Sequence, residues 1–180
     1  MREARWTMAS ERGVFAEEYR IWHTPAVGAY LFWRFATIYV ANSRDGALPS
    51  CIHFFLLAGI LRQVKVVNSY IYRRRSLLGV IKAAIDNGDA DLIDGIHARV
   101  RDSMPYTTAA LDIAVAAGML EWDFDAAALR PLKVETVLKS GGYRNSKYFT
   151  RMVSIVESLG RLFATVPSVN DVAKLLKVRL

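Results

Sequence analysis

The feature that most constrains this chain is a segment, residues 25–42, that is apolar on every face a helix would present. Thr24 can cap a helix, and Pro25 loses no hydrogen bond at the first helical position. Apolar side chains follow helical spacing along one face and also occupy the other faces: Val27, Tyr30, Leu31, Phe35, Ile38 and Tyr39, then Phe32, Trp33, Ala36 and Val40. A chain of 180 residues rarely covers such a helix alone. The pattern therefore predicts that a partner protein covers it.

A second apolar stretch follows, and we expect it to form a helix packed against the first. It begins after Pro49 and continues to Leu61, although the residues around Phe54 are also compatible with a buried strand. A shorter helix is expected upstream, at residues 15–22. We predict that aromatic side chains of the two apolar segments form a partner-binding surface: Tyr30, Phe32, Trp33, Phe35, Phe54 and Phe55.

The chain is unusually apolar for its size. Its hydrophobic fraction is 53% and its mean hydropathy is +0.17, against about 45–50% apolar residues in an ordinary globular chain. A membrane segment, a dense core or partner-covered faces would each account for this. Residues 26–41 are interrupted by the charged Arg34, and residues 51–61 are too few to span a bilayer, which takes about 20 apolar residues. With no apolar leader and a single Cys51, the sequence predicts a cytoplasmic protein without a membrane segment.

The middle of the chain has the element order of a winged-helix unit. Ser76 is expected to cap a helix over residues 77–86. Asp89 or Asp91 then caps a helix through about residue 103, and Pro105 begins another through about residue 117. Two short runs, at 119–124 and 128–133, predict a β-hairpin. Three helices followed by a hairpin are typical of a winged helix.

These elements predict a mainly α (α+β) fold in one compact, bilobed protein. Apolar helices form an N-terminal partner-docking region over residues 1–75. The winged-helix-like unit with its small hairpin occupies residues 76–134. A C-terminal helical region covers residues 135–180, with one long helix at 147–164 and a short helix from residue 169.

No residue pattern supports catalysis. His23, His53 and His97 are far apart and lack a second ligand at metal-binding spacing, and His53 on an apolar face is typical of a core histidine. Cys51 has no neighbour that would lower its pKa. The acidic residues at 86–94 could hold magnesium, but their spacing favours helix capping. The sequence therefore predicts no enzyme activity, no cofactor and no metal site.

Charge is distributed unevenly along the chain. Residues 1–75 hold 11 basic and 5 acidic side chains, residues 76–124 hold 3 and 8, and residues 125–180 hold 10 and 4. Basic ends favour an acidic partner or a phosphate backbone. The helix predicted at 105–117 has Asp112 as its only charge, so it is a poor reader of base edges. DNA phosphate contacts are expected elsewhere, with a solvated basic face as the alternative: Arg73, Arg74, Arg75, Lys139, Arg144, Lys147 and Arg151.

Several sequence blocks follow one another in a fixed order: residues 23–35, Leu48-Pro49, Thr108-Ala109-Ala110-Leu111, Ala117-Gly118-Met119-Leu120, Gly160-Arg161-Leu162-Phe163-Ala164 and Leu176-Lys177-Val178-Arg179. Together they resemble, from about residue 15 to the end, the middle component of three-component ABC systems. The chain departs from the family pattern at Thr24, where Asn is usual, and at Lys177 and Leu180, where Gly and Pro are usual. It also lacks the second proline late in the apolar stretch.

The resemblance implies a non-catalytic adaptor that links an SMC-like or Rad50-like ABC ATPase to an effector. The effector is often a nuclease, and the complex acts in bacterial anti-phage or anti-plasmid defence, with the Lamassu type nearest in plan. DNA contact would then occur through the complex. Two alternatives stay open: a stand-alone winged-helix DNA-binding regulator and a peripheral membrane protein.

Overall fold

The computed structural model describes residues 24–62, 70–71, 74–133 and 147–179. Within them the fold is mainly helical with one small antiparallel hairpin, as the sequence predicts. The helix predicted at residues 15–22 lies outside the described residues. In chain order the elements are α1 (Pro25–Asn42), α2 (Cys51–Leu61), α3 (Leu77–Asp86), α4 (Asp91–Asp94), α5 (Ile96–Ala116), β1 (Leu120–Asp123), β2 (Ala128–Pro131), α6 (Lys147–Ala164) and α7 (Val169–Leu175).

Local capping explains several of these helix boundaries. The Ser76 hydroxyl accepts a hydrogen bond from the Gly79 amide at the start of α3 (3.2 Å). At the start of α2, the Ser50 amide donates to His53 Nδ1 (3.0 Å) as part of a capping box. The boundaries predicted for α1, α3 and α6 are confirmed, and the stretch around Phe54 is helical rather than a strand.

The centre of the chain differs from the prediction. Residues 96–116 form a single helix, α5, with Pro105 inside it, where two helices were expected. Proline has no N–H, so the carbonyl of residue 101 has no helical hydrogen-bond donor. Because Pro105 lies on the exposed side of α5, water can hydrate that carbonyl instead. The N-cap of α4 is Ala90, without a side-chain cap, rather than an aspartate. The winged-helix unit is therefore not confirmed, because its second and third helices are one continuous helix.

Helix α1 packs between α5 and α6, and two glycines permit close approach of the backbones. At the crossing with α5, a Cβ on Gly28 would lie 2.9 Å from the Cβ of Ala110. At the crossing with α6, a Cβ on Gly160 would lie 3.0 Å from the carbonyl oxygen of Phe35. A larger residue at either position would push the helices apart. One hydrophobic core runs through residues of all three predicted regions.

The chain covers most of α1 with its own side chains. Phe32 and Phe35 are 1% and 0% exposed. The Phe35 ring meets Phe54 of α2 and Phe163 of α6 edge to face, with centroids 5.6 Å apart in both pairs. Each such pair adds about 0.5–1.5 kcal/mol beyond the buried area. The expectation that a partner must cover this helix is wrong for most of its surface, because α5 and α6 pack along it and Phe54 of α2 meets its aromatic rings.

The hairpin is attached to the helical body along its second strand. Strand β1 pairs antiparallel with β2, with Asp123 opposite Ala128. The Leu129 amide donates to the Pro49 carbonyl (3.0 Å), and Ala128 forms a bridge with Ser50. The side chain of Leu129 is fully buried. The hairpin therefore has a fixed position against the segment that precedes α2.

Among the described residues, no single helix is both long enough and apolar enough to cross a bilayer. Helices α6 and α7 meet that test only when they are counted together across a bend of 113°.

We expect the substitution Gly59→Ala to destabilise the crossing of α2 and α5. A Cβ at this position would lie 2.5 Å from Val100 Cγ2 and 3.1 Å from the Val100 backbone nitrogen. Because neither a β-branched side chain nor a helix backbone moves aside easily, the free energy of unfolding should fall by about 2 kcal/mol in chemical denaturation. Gly79→Ala in α3 is the matched control, since its nearest contact would be the mobile Ser76 hydroxyl at 3.2 Å. Equal effects of the two substitutions would contradict the tight crossing.

Candidate partner-binding surface

The six aromatic residues predicted to bind a partner divide into two groups. Phe32, Phe35 and Phe54 lie in the core with at most 1% of their surface exposed. Tyr30, Trp33 and Phe55 are half-buried. The three core rings hold α1 and α2 together, so the three half-buried residues are the members of this set that have surface to offer a partner.

Trp33 lies at one wall of a shallow groove between α1 and the end of the hairpin. We call this the α1 groove, and its lining residues are Trp33, Thr37, Val40 and Ala41 of α1 with Pro131, Leu132 and Lys133. The indole N–H donates to the Leu132 carbonyl (2.9 Å), which fixes the ring against the hairpin. The walls are mainly apolar and Lys133 supplies a positive charge at one end. Such a surface suits a protein segment with apolar side chains.

The α1 residues beside the groove are held by contacts with α6. Tyr30 stacks on Phe149 with ring centroids 5.7 Å apart, and its ring also contacts Trp33 at 5.6 Å. The guanidinium of Arg34 lies over the Trp33 ring at 5.6 Å and forms an ion pair with Glu157. Because α6 holds Tyr30 and Arg34, and both of these contact Trp33, the Trp33 wall of the α1 groove is supported without a partner. Such support lowers the entropy lost on binding.

The structure describes four of the seven residues predicted to contact DNA phosphates, and all four are exposed. Arg74 and Arg75 precede α3, and Lys147 and Arg151 lie one turn apart at the start of α6. A spacing of four residues places Lys147 and Arg151 on the same helix face. The other three lie outside the described residues: Arg73, Lys139 and Arg144.

The buried polar groups are suited to packing rather than to chemistry. His53 is 4% exposed, and burial lowers its pKa to about 4 despite the opposing hydrogen bond from the Ser50 backbone. It is the core histidine that the sequence predicts. Burial also raises the pKa of the Cys51 thiol, which keeps it protonated at neutral pH. In the part of the chain that the structure describes, no group of three or more His, Cys, Asp or Glu side chains could hold a metal ion.

Comparison with protein families decides what kind of protein this is. The model for Middle Component 3 of ABC-three component (ABC-3C) systems matches residues 13–180. The chain belongs to this family. The resemblance seen in the sequence blocks is thus confirmed at the level of the middle component, and a middle component of a three-component system has partner subunits. No curated protein and no solved structure matches the chain.

The α1 groove of this middle component was not predicted from its sequence. Trp33, Thr37, Val40 and Ala41 have the spacing of one helix face, and this spacing is the local signal that could have indicated a stripe. The opposite wall comes from residues 131–133, which lie about a hundred positions further along the chain. Sequence spacing cannot show that these residues meet α1.

The pKa of His53 predicts how the stability of the middle component depends on pH. The folded value of about 4 lies below the ordinary 6.5, so protonation favours the unfolded chain. The stability that the folded protein gains from keeping His53 neutral is fully present above about pH 6.5. It amounts to about 3 kcal/mol and is lost as the pH falls towards 4. His53→Asn retains an acceptor for the Ser50 amide but cannot be protonated. We expect it to be less stable at neutral pH but to lose less stability between pH 6.5 and 4.

Urea denaturation at a series of pH values measures this difference. The control is His97→Asn, at an exposed position on α5, which should leave the pH dependence as in the wild type. If His53→Asn and the wild type lose stability in parallel on acidification, burial of the neutral imidazole does not explain the pH dependence.

Proposed function

We propose that this middle component is a non-catalytic adaptor that links an SMC-like or Rad50-like ABC ATPase to an effector of nuclease type within a cytoplasmic, Lamassu-like complex. The complex would act in bacterial anti-phage or anti-plasmid defence. ATP hydrolysis and nucleic-acid cleavage would take place on the other two subunits.

The observation that carries this proposal is the α1 groove in a chain whose family implies partner subunits. Trp33 is fixed at its wall, the walls are apolar, and Lys133 can pair with a carboxylate of the occupant. The described residues bring together no metal-binding group, and the thiol of Cys51 has a raised pKa. A docking role therefore has more support from the geometry than a catalytic one.

The direct test is to purify the ATPase and the effector encoded with this chain, with and without it. An adaptor predicts that the two co-elute in size-exclusion chromatography when the chain is present and elute separately when it is omitted. The outcome against the proposal is an ATPase–effector complex that forms equally well without the middle component. A free chain that binds duplex DNA but neither subunit would instead favour the stand-alone regulator.

A pair of neighbouring substitutions tests the α1 groove within that experiment. Ala41 is exposed and lines the groove, whereas Asn42 is exposed and does not. Ala41→Arg should abolish binding to one subunit, because a long charged side chain fills an apolar docking site. Asn42→Arg should bind as the wild type does. Arginine near a helix C-terminus is favoured by the helix dipole, so both variants should fold.

We also propose that the assembled complex contacts DNA phosphates without reading sequence, through basic side chains of the middle component. Lys147 and Arg151 are the best-defined pair, since both are exposed on one face of α6. The acidic residues of the central region are not expected to lie on DNA. The contribution of this pair would be electrostatic and therefore sensitive to salt.

The double substitution Lys147→Gln and Arg151→Gln tests this second proposal. The slope of log affinity against log salt concentration for duplex DNA should become shallower by about 2, since each lost phosphate contact removes about 0.9. Fluorescence anisotropy on the assembled complex measures the slope. Lys82→Gln, at an exposed lysine of α3 outside the predicted set, is the control. A slope unchanged by the double substitution would show that these side chains do not face DNA.

A further inference from the structure

The turn that joins the two strands of the hairpin exposes a large aromatic side chain. Phe124 is 85% exposed, whereas the other exposed large hydrophobic residues in the described part of the chain range from 37% to 49%. Its ring stacks on Trp122 with centroids 6.4 Å apart and planes 19° from parallel. We call Trp122 and Phe124 the hairpin tip. Aromatic side chains are enriched at protein interfaces, so this exposed aromatic pair is a candidate contact surface.

The turn beneath Phe124 is held by several interactions. The Asp123 carboxylate accepts a hydrogen bond from the Ala126 amide (3.0 Å) and another from Arg130 Nη2 (2.8 Å). These donors, the Ala126 amide first, lower the pKa of Asp123, so the carboxylate stays ionised at neutral pH. Ala127 closes the turn with a φ of +48°, in the left-handed region. The turn therefore holds Phe124 outwards and does not fold it back onto the protein.

The hairpin tip is separate from the α1 groove. On the hairpin side the groove is lined by residues 131–133, which begin at the last residue of β2, opposite Leu120, whereas Phe124 follows the other end of β1. Three residue steps along a strand place the two ends about 10 Å apart. One hairpin thus offers contacts at both of its ends, and the bond between Leu129 and Pro49 fixes its position against the body.

The charges around the hairpin tip indicate what kind of protein surface would bind it. Glu121 and Asp125 flank the aromatic pair and are exposed. Glu121 lies directly opposite Arg130 in the strand pairing, and Arg130 also pairs with Asp123, whereas Asp125 forms no ion pair within the described residues. Three carboxylates against one arginine leave the hairpin with an excess of two negative charges, on a chain with a net charge of +7. The complementary surface is an apolar pocket with lysine or arginine at its rim.

We propose that Phe124, supported by Trp122, anchors the middle component to one partner subunit by entering an apolar pocket with a basic rim. A single aromatic side chain in a closed pocket is a typical binding hot spot. The flanking carboxylates orient the tip and speed the encounter. The partner is a protein of the same three-component system, so the proposal rests on the adaptor function in that respect only.

The test measures binding of the full chain to the purified ATPase and, separately, to the purified effector by biolayer interferometry. Phe124→Ser should weaken binding to one of them by at least about tenfold. Its melting temperature should be unchanged because the ring is exposed. Leu78→Ser, at a residue of α3 that is 46% exposed and outside both surfaces, is the matched control. Asp125→Lys should also weaken binding and reduce its dependence on salt.

The proposal is overturned if Phe124→Ser binds both subunits as tightly as Leu78→Ser does. It is also overturned if the free chain is a dimer that Phe124→Ser converts to a monomer, since the occupant is then a second copy of the chain. Failure of the adaptor function gives a different result. In that case the wild-type chain does not bridge the two subunits, but Phe124→Ser still weakens its binding to one of them.

Discussion

The structure depends on the burial of α1 between α5 and α6 at near-backbone contact. Gly28 and Gly160 permit this approach, and the Phe35 ring fills the centre of the space that the helices enclose. With α1 fixed, its outer face meets the end of the hairpin through the bond from Trp33 to Leu132. The positions of both candidate contact surfaces therefore follow from the packing of one helix.

This burial changes what the high hydropathy of the chain means. Much of the apolar surface of α1 and α2 is used inside the protein, where Phe32, Phe35 and Phe54 form one aromatic cluster. Within the described residues, the α1 groove and the hairpin tip are two apolar surfaces that a partner could cover. Both surfaces are small and ordered in the free chain, and such surfaces lose little conformational entropy on binding. A middle component with such surfaces does not have to fold on its partner.

The distribution of charge on the folded surface also differs from the distribution along the sequence. The acidic central region and the basic C-terminal region meet where Lys177 Nζ lies 2.7 Å from an Asp94 carboxylate oxygen, and Arg130 pairs with Asp123 within the hairpin. Exposed pairs of this kind contribute little to stability, because solvent and salt screen them. Their main effect is to reduce the segregation of charge that the sequence indicates. Some charges are still exposed in groups of one sign. Lys147 and Arg151 are exposed at the start of α6, in the basic C-terminal region, and Glu121 and Asp125 are exposed in the hairpin.

The sequence by itself determined the features that neighbouring residues encode. The Thr24-Pro25 pair, the Ser76 cap and helical spacing indicated the ends of α1, α3 and α6. The apolar setting of His53 indicated a core histidine, and the ordered blocks indicated the family. Tertiary structure decided the rest. Pro105 is accommodated inside α5 because that side of the helix faces solvent, and Phe35 is buried because three helices enclose it. Burial is a property of contacts between residues far apart in the chain, and spacing along one segment does not contain that information.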